Sequence, residues 1–310
     1  MSWKAWPIIF ISKVNGLTTM FQWIFGVHPV IETLRAHPET VREVLLARAG
    51  GERGNEIGRL CRELDITLRP VHRRDIDLLA KGVAHQGVAA EVTMEVAGEP
   101  FPAPKDPAEL LERARDTEQD PLIVALDRIQ DPRNLGALVR SAHALGAHGV
   151  ITPRDRSSDL TSVAMKASAG AAAHIPVCRV TNLARALDDF KKAGLWVVGA
   201  DAGELPGKED LGGVEARRLG GSKKASSRGI ETGFRRGKEG PLFIDRVDLT
   251  GPLVLVIGAE GPGLRRLVKE RCDRVVQIPM TGRVASLNAS VAGGILLYEV
   301  LRQRRLQSNP

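Results

Sequence analysis

Ile278-Pro279-Met280-Thr281-Gly282-Arg283-Val284-Ala285-Ser286-Leu287-Asn288 joins an apolar strand pattern, Val275-Val276-Gln277-Ile278, to a long apolar helix pattern over residues 287–301. A strand that runs through a short loop into a helix is the building unit of an α/β sheet. The loop between them carries backbone donors and acceptors that neither sheet nor helix consumes. Ser286, Leu287 and Asn288 fall at the expected helix N-terminus, where free N–H groups can hold a polar ligand. Taken alone, the loop also has a purely structural reading: Pro279 stops a strand, Gly282 makes a turn and Ser286 caps a helix.

Outward from this stretch the same alternation repeats. Upstream lie a strand over 253–257, a helix over 264–271 and a strand over 274–278. Earlier still come a strand at 122–126, a helix at 134–145, a strand at 150–151, a helix at 160–168, a strand at 177–180, a helix at 183–193 and a strand at 195–199. Leu122-Ile123-Val124-Ala125-Leu126 is continuously apolar, as expected of a parallel strand covered on both faces. Residues 202–240 interrupt the pattern with glycines and with Lys208, Arg217, Arg218, Lys223, Lys224, Arg228, Arg235, Arg236 and Lys238. Such a segment cannot bury enough surface to offset its ordering entropy, so it is expected to be a mobile basic surface loop, either an RNA-touching arm or a solvated insertion.

Residues 96–120 carry Pro100, Pro102, Pro104 and Pro107 followed by charged side chains, which reads as a linker with room for one short helix. Before it, residues 25–95 alternate over short lengths: helix 28–36, strand 41–47, helix 55–63, strand 66–71, helix 74–80 and strand 88–92. The expectation is therefore a small N-terminal α/β domain, a linker, and a larger α/β parallel-sheet domain over 121–310. Residues 1–24 are expected to be a disordered leader or a misassigned start, with Met20 the alternative initiator. Their apolar run, Trp6-Pro7-Ile8-Ile9-Phe10-Ile11, is too short to span a membrane.

The 310 residues are 43% hydrophobic, enough for a real core, and carry a formal charge of +7. With a pI near 9.6, that balance tilts toward a polyanionic partner. Aromatic residues make up only 4% of the chain, which argues against a platform that stacks several unpaired bases and favours phosphate contact and shape. Cys61, Cys178 and Cys272 form no C-x-x-C pair, and the histidines do not cluster at ligand spacing. Neither a disulfide framework nor a metal site is indicated, and a reducing cytoplasm fits best.

Three segments stand where strands end and helices begin, the place where open α/β sheets bind ligands. One is Asp127-Arg128-Ile129-Gln130-Asp131-Pro132-Arg133-Asn134-Leu135-Gly136, followed by Arg140. At about 100° per residue, Arg140 falls opposite the apolar stripe of its own helix. Another is Gly258-Ala259-Glu260-Gly261-Pro262-Gly263, whose G-x-x-G-x-G spacing is neither the dinucleotide fingerprint nor the phosphate loop. A nucleotide-dependent dehydrogenase is thereby disfavoured. The third is the stretch from Ile278 to Asn288.

Asn134-Leu135-Gly136 with Arg140, Gly258-Ala259-Glu260-Gly261, and Ile278-Pro279-Met280 with Ser286-Leu287-Asn288-Ala289-Ser290 resemble the three motifs of the SpoU/TrmH family of RNA ribose methyltransferases, over about residues 120–305. Phe25-Gly26-Val27-His28 and His85-Gln86-Gly87-Val88-Ala89-Ala90 are similar to the ends of the small RNA-binding domain found in its RlmB-like branch. The resemblance implies a catalytic domain of the SPOUT type, a C-terminal trefoil knot, and a homodimer with sites at its interface. It also implies S-adenosylmethionine as methyl donor and a guanosine 2′-hydroxyl of large-subunit (23S) ribosomal RNA as acceptor, with no metal required. The residues implied in catalysis are Asn134, Arg140, Glu260, Ser286 and Asn288. Backbone around Gly258, Ile278 and Leu287 is implied to hold the cofactor, with Gly199 bordering the same pocket. Because a guanidinium stays charged at physiological pH, Arg140 is expected to position the substrate and stabilise a developing alkoxide rather than act as base. Arg35, Arg42, Arg73 and Arg74 are expected to meet RNA phosphates. The alternatives are a transfer-RNA ribose methyltransferase and a non-catalytic, RNA-binding ribosome-assembly factor. The insertion at 202–240 departs from the family pattern.

Overall fold

The computed structural model describes residues 9–14, 17–47, 52–94, 101, 103–201, 242–261, 263–282, 284 and 286–308. The expected mobile insertion at 202–240 lies outside the described residues, as do residues 1–8 and 15–16 of the expected leader and 96–100 and 102 of the expected linker.

In the large domain, β6 (Leu122–Asp127), β7 (Gly149–Pro153), β8 (Val177–Val180), β9 (Trp196–Ala200), β10 (Leu242–Phe243), β11 (Leu253–Gly258) and β12 (Arg274–Gln277) form one sheet in the order β10-β12-β9-β11-β6-β7-β8. Every pairing in it is parallel. The reason lies in the apolar runs. Leu122, Val124 and Leu126 of β6 pack to one side with Leu253, Leu255 and Ile257 of β11, while Ile123, Ala125, Val254 and Val256 pack to the other. A strand buried on both faces needs helices on both, and parallel crossovers supply them. One face takes α5 (Pro132–Ala144), α6 (Ser162–Ala167) and α9 (Ala289–Ser308); the other takes α4 (Pro107–Arg115), α7 (Leu183–Lys192) and α8 (Arg266–Lys269).

One local expectation needs correction. The helix expected over 264–271 is only the four residues of α8. The expected linker supplies α4: Asp106 Oδ1 caps it, accepting from Ala108 and Glu109 N–H at 2.9 Å, and Pro107 takes the first turn. Leu110, Leu111 and Ala114 of α4 are buried in the core of the large domain. The prolines that suggested a spacer include one whose fixed φ starts a helix.

The N-terminal domain is a five-stranded sheet, β1-β2-β5-β3-β4, built from β1 (Ile9–Val14), β2 (Leu17–Phe25), β3 (Val41–Ala47), β4 (Thr67–Val71) and β5 (Val88–Met94). Only β3 and β4 run parallel. Helices α1 (Val27–Ala36) and α2 (Glu52–Glu63) cover one face, and α3 (Arg73–Ala80) covers the other through Ile76 and Ala80. Much of the expected disordered leader is thus sheet. Residues 17–22 pair with β1 and residues 20–25 with β5, and Phe21, Gln22, Trp23, Ile24 and Phe25 are buried. A two-stranded antiparallel pattern of mixed residues carries weak periodicity, which is why it was not visible in the sequence.

The two domains share one continuous apolar core that runs from Ile24, Val30 and Leu34 to Leu135, Ala164 and Ala172. Polar contacts pin the join. Gln22 Nε2 donates to the Leu160 carbonyl at 3.2 Å, His37 Nε2 lies 2.8 Å from the Ala173 carbonyl, and His174 Nε2 lies 2.8 Å from Glu32 Oε2.

Candidate active site at the carboxyl edge of the large sheet

Because β12, β9, β11 and β6 are neighbours and parallel, the loops that follow them open on the same edge. That places the three motif segments together although 126 and 154 residues separate Asn134 from Glu260 and Asn288. Glu260 Oε1 is the hub. It accepts from Asn134 Nδ2 at 3.1 Å, from the Ala289 N–H at 3.2 Å and from Asn288 Nδ2. Asn288 Nδ2 also donates to Asn134 Oδ1 at 3.1 Å, which closes the triangle. A charge-assisted acceptor shared by two amides and a helix N-terminus locks three loops in one geometry.

Asn288, not Ser286, caps α9. Its Oδ1 accepts from the Ser290 N–H at 3.0 Å, the Ser290 hydroxyl at 2.6 Å and the Val291 N–H at 3.3 Å. The helix therefore begins two residues later than its apolar pattern, because the capping side chain sets the start. Ser286 is exposed in the preceding loop, and the neighbouring Leu287 and Ile278 are half-buried. Arg140 stands exposed on α5 with no hydrogen-bond or ion-pair partner among the described residues.

Glycines in the motifs separate into two kinds. A Cβ at Gly258 would lie 2.4 Å from Gly263 C and 2.7 Å from Leu264 N, so only glycine lets the 258–264 loop fold back on its own strand. At Gly136 the obstacle is another helix: its Cβ would meet the Ala164 carbonyl oxygen at 2.3 Å, which makes this motif glycine a packing requirement between α5 and α6. Gly199 belongs to the second kind, since Cys272 Sγ and Leu264 Cδ1 fill its Cβ position at 2.5 and 2.7 Å. It still lies in the strand flanked by β11 and β12, pairing Val256 and Val275.

Sequence reasoning overlooked the pair beneath the hub. Asp127, fully buried at the end of β6, accepts from Arg265 Nε at 2.6 Å and from the Arg265 N–H at 2.9 Å. This bridge ties the glycine loop to the strand that leads to Asn134. Its signal was present: a carboxylate closing an otherwise apolar strand must be paired to be buried. Beside it, Lys269 Nζ donates to Asp201 Oδ2 at 2.6 Å, anchoring the chain that leaves β9.

The expected RNA contacts divide. Arg35 is engaged by Glu32 and Glu56 at 3.0 and 2.7 Å, and Arg42 by Glu91 at 3.1 Å, so neither offers a free charge. Arg73 and Arg74 are exposed at the start of α3. Among the described residues no group of three His, Cys, Asp or Glu side chains could hold a metal ion, and no helix is long and apolar enough to cross a membrane.

Comparison with known proteins agrees with this geometry. Residues 121–217 and 222–298 match the SpoU rRNA Methylase family, and residues 23–95 match the module described as RNA 2′-O ribose methyltransferase substrate binding. An "uncharacterized tRNA/rRNA methyltransferase" of Mycolicibacterium gilvum is 42% identical over 91% of this chain and 77% of its own length. Among solved structures, the SpoU methyltransferase AviRb from Streptomyces viridochromogenes in complex with AdoMet superposes with a TM-score of 0.65 at 27% identity, over 92% of this chain and 91% of that one. An AdoMet-bound rRNA methyltransferase from Sinorhizobium meliloti shares the fold, with a TM-score of 0.62 at 22% identity over 91% of this chain and 87% of its own. With a substrate-binding module ahead of a methylase module and its three motif loops joined at one carboxylate, the chain belongs to the SpoU family of RNA methyltransferases.

Proposed function

We propose that this enzyme methylates the 2′-hydroxyl of a guanosine ribose in large-subunit (23S) ribosomal RNA. The observation that carries the reading is the Asn134–Glu260–Asn288 triangle, which sets three loops around one exposed spot on the sheet edge. A separate substrate-binding module packed against the catalytic domain supports a large folded RNA. The same architecture on transfer RNA is the second reading, and relatives that carry both words in their names leave it in play.

The methyl donor is S-adenosylmethionine, the cofactor held by the AviRb neighbour. The residues at the ends of β9, β11 and β12 fit such a molecule. Half-buried Ile278 and Leu287 offer apolar cover, and the irregular backbone of the described residues between 278 and 288 leaves amide and carbonyl groups outside any ladder. Gly258, Ile278 and Leu287 would hold it, with Gly199 in the strand beneath. When bound, it supplies a methyl group activated on a sulfonium. The chain's own part is alignment: Arg140 positions the acceptor ribose and stabilises the negative charge that develops on its 2′-oxygen as the O–H proton passes to solvent water and the methyl is taken up. Asn134, Glu260 and Asn288 fix the loops, and Ser286 completes the polar lining.

The reading includes a homodimer. Val291, Ile295 and Tyr298 are 51%, 40% and 59% exposed at helical spacing along α9, an apolar stripe that a second copy would cover. It also includes the trefoil knot, which membership of the SpoU family supports. A cytoplasmic setting is supported by Cys61, Cys178 and Cys272 forming no disulfide.

Labelled-methyl transfer to ribosomal RNA from a strain lacking this enzyme, with the modified position mapped, tests the assignment. Label on a guanosine ribose of the large-subunit RNA is the expected result. Label on transfer RNA alone replaces the substrate, and failure to bind S-adenosylmethionine makes the chain a non-catalytic RNA-binding factor.

A further inference from the structure

The triangle and the cofactor residues occupy the part of the sheet edge from β12 to β6, and the part from β6 to β8 is lined with arginines that the proposed mechanism does not use. Arg128 directly follows β6, with φ at +61°, a left-handed backbone that costs energy for any residue with a side chain. The residue is half-buried; its Nε is shut off from solvent and has no hydrogen-bond partner among the described residues. In the neighbouring loop, Ser157 Oγ is in the same condition. The two loops are joined, since the Ser158 N–H donates to the Ile129 carbonyl at 2.8 Å. Exposed Arg154 and Arg156 belong to the second loop.

The acidic groups nearby are largely spoken for. Asp127 is held by Arg265, Asp131 caps α5 through the Arg133 N–H at 2.8 Å, and Asp159 is paired with Arg179. Asp155 remains exposed. Only the Nε of Arg128 is shut off; the rest of its guanidinium reaches solvent with no carboxylate to neutralise it, and its planar fork matches phosphate oxygens. The place is also right for RNA. The N-terminal module meets the large domain next to this rim, where Gln22 reaches the Leu160 carbonyl, so a strand held by that module and entering the active site crosses it.

We infer that Arg128, flanked by the exposed Arg154 and Arg156, seats a backbone phosphate of the substrate RNA and thereby sets which ribose faces the methyl donor. This rests on the RNA methyltransferase reading and makes Arg128 a positioning residue. Arg128→Gly is the informative variant, because glycine accepts the left-handed backbone while removing the guanidinium.

Filter binding of an unmethylated large-subunit ribosomal RNA transcript to the full chain should show affinity down about tenfold, with the slope of log affinity against log salt shallower by about 0.7, the share of one single-strand phosphate. The thermal midpoint should not fall, and affinity for S-adenosylmethionine should stay at the wild-type value. Arg128→Lys, which keeps the charge, should retain the wild-type slope. Unchanged RNA affinity and slope in Arg128→Gly overturn the proposal, as does a loss of affinity that tracks a fall in thermal midpoint. The readout needs no turnover, so the two readings fail separately: a wild-type chain that binds RNA but transfers no methyl sinks the catalytic reading, and the salt slope of Arg128→Gly still decides the phosphate seat.

Discussion

In the N-terminal domain, Arg35 holds Glu32 and Glu56, Arg42 holds Glu91 and Arg69 holds Glu43, at 2.7 to 3.1 Å. Arg128, Arg154 and Arg156 at the carboxyl edge of the large sheet, and Arg140 on α5, have no carboxylate partner among the described residues. The residue type is the same and the availability is opposite. A surface ion pair adds at most about 1 kcal/mol of stability, yet it removes a cation from the field that an RNA meets. Arginine content therefore says that an anion is wanted, and the local supply of carboxylates says where it can go. A third condition appears at the far end of the sheet, where Arg304 donates to the Asp120 and Gly251 carbonyls at 2.7 and 2.9 Å and serves as a staple for the C-terminal helix.

The contrast can be broken most severely at Arg140. Arg140→Ala should lower methyl transfer by about 10²- to 10³-fold, the usual cost of losing a donor to a developing oxyanion, with affinity for S-adenosylmethionine within about twofold of wild type. Single-turnover rates with mapped RNA check this. Near-normal turnover in Arg140→Lys would exclude planar, two-point contact as the essential feature.

Next in size is Gly258→Ala. Forcing a Cβ to within 2.4 Å of Gly263 C should overpack the loop by about 1–3 kcal/mol, seen as roughly tenfold or more weaker cofactor binding in calorimetry. Gly136→Ala, which disturbs a helix contact instead, should lower the thermal midpoint more than it lowers cofactor affinity. A reversal of that pattern would mean that the two kinds of motif glycine have been misassigned.

A smaller effect is expected from pH. Burial holds the His148 imidazole below its ordinary value of 6.5, with Arg304 nearby acting in the same direction. Burial lowers His143 in the same sense, with His174 adding to it. The folded chain thus binds fewer protons than the unfolded one below that value. Stability is full above about pH 6.5 and declines as pH falls through the unfolded-state value toward the depressed folded one. His148 Nδ1 also accepts the Leu122 N–H at 3.0 Å, a bond that protonation of that nitrogen removes. Thermal midpoints measured from about pH 7.5 down to pH 5.5 should fall, and fall less in His148→Asn. The smallest change is expected for Arg35→Ala, in which RNA affinity should drop less than about twofold, as suits a charge already neutralised. A loss as large as that of Arg128→Gly would erase the distinction between the two regions.

Much of the architecture was legible from local pattern. The residues of β3 and β8 coincide with their apolar runs, and the alternation from Leu122 onward announced a parallel sheet covered on both faces. Asn134, Glu260 and Asn288 were legible as candidates because each stands at a strand-to-helix turn. Less legible were β1 and β2, with mixed composition and no helix between them, and the burial of α4 in the core of the large domain. Asp127 was overlooked because its partner, Arg265, lies 138 residues away.

By itself the sequence determined which segments are strands and helices, which loops carry polar side chains, and that the chain as a whole is basic. Periodicity and composition act over a few residues, so they survive translation into one dimension. Tertiary structure alone decided that β12, β9, β11 and β6 lie side by side, that Glu260 therefore meets both Asn134 and Asn288, and that Arg42 is spent while Arg128 is not. Those facts depend on which distant segments share a sheet edge and which carboxylate happens to lie within reach of a cation. Contacts of that range are set by packing the whole chain, not by any stretch of it.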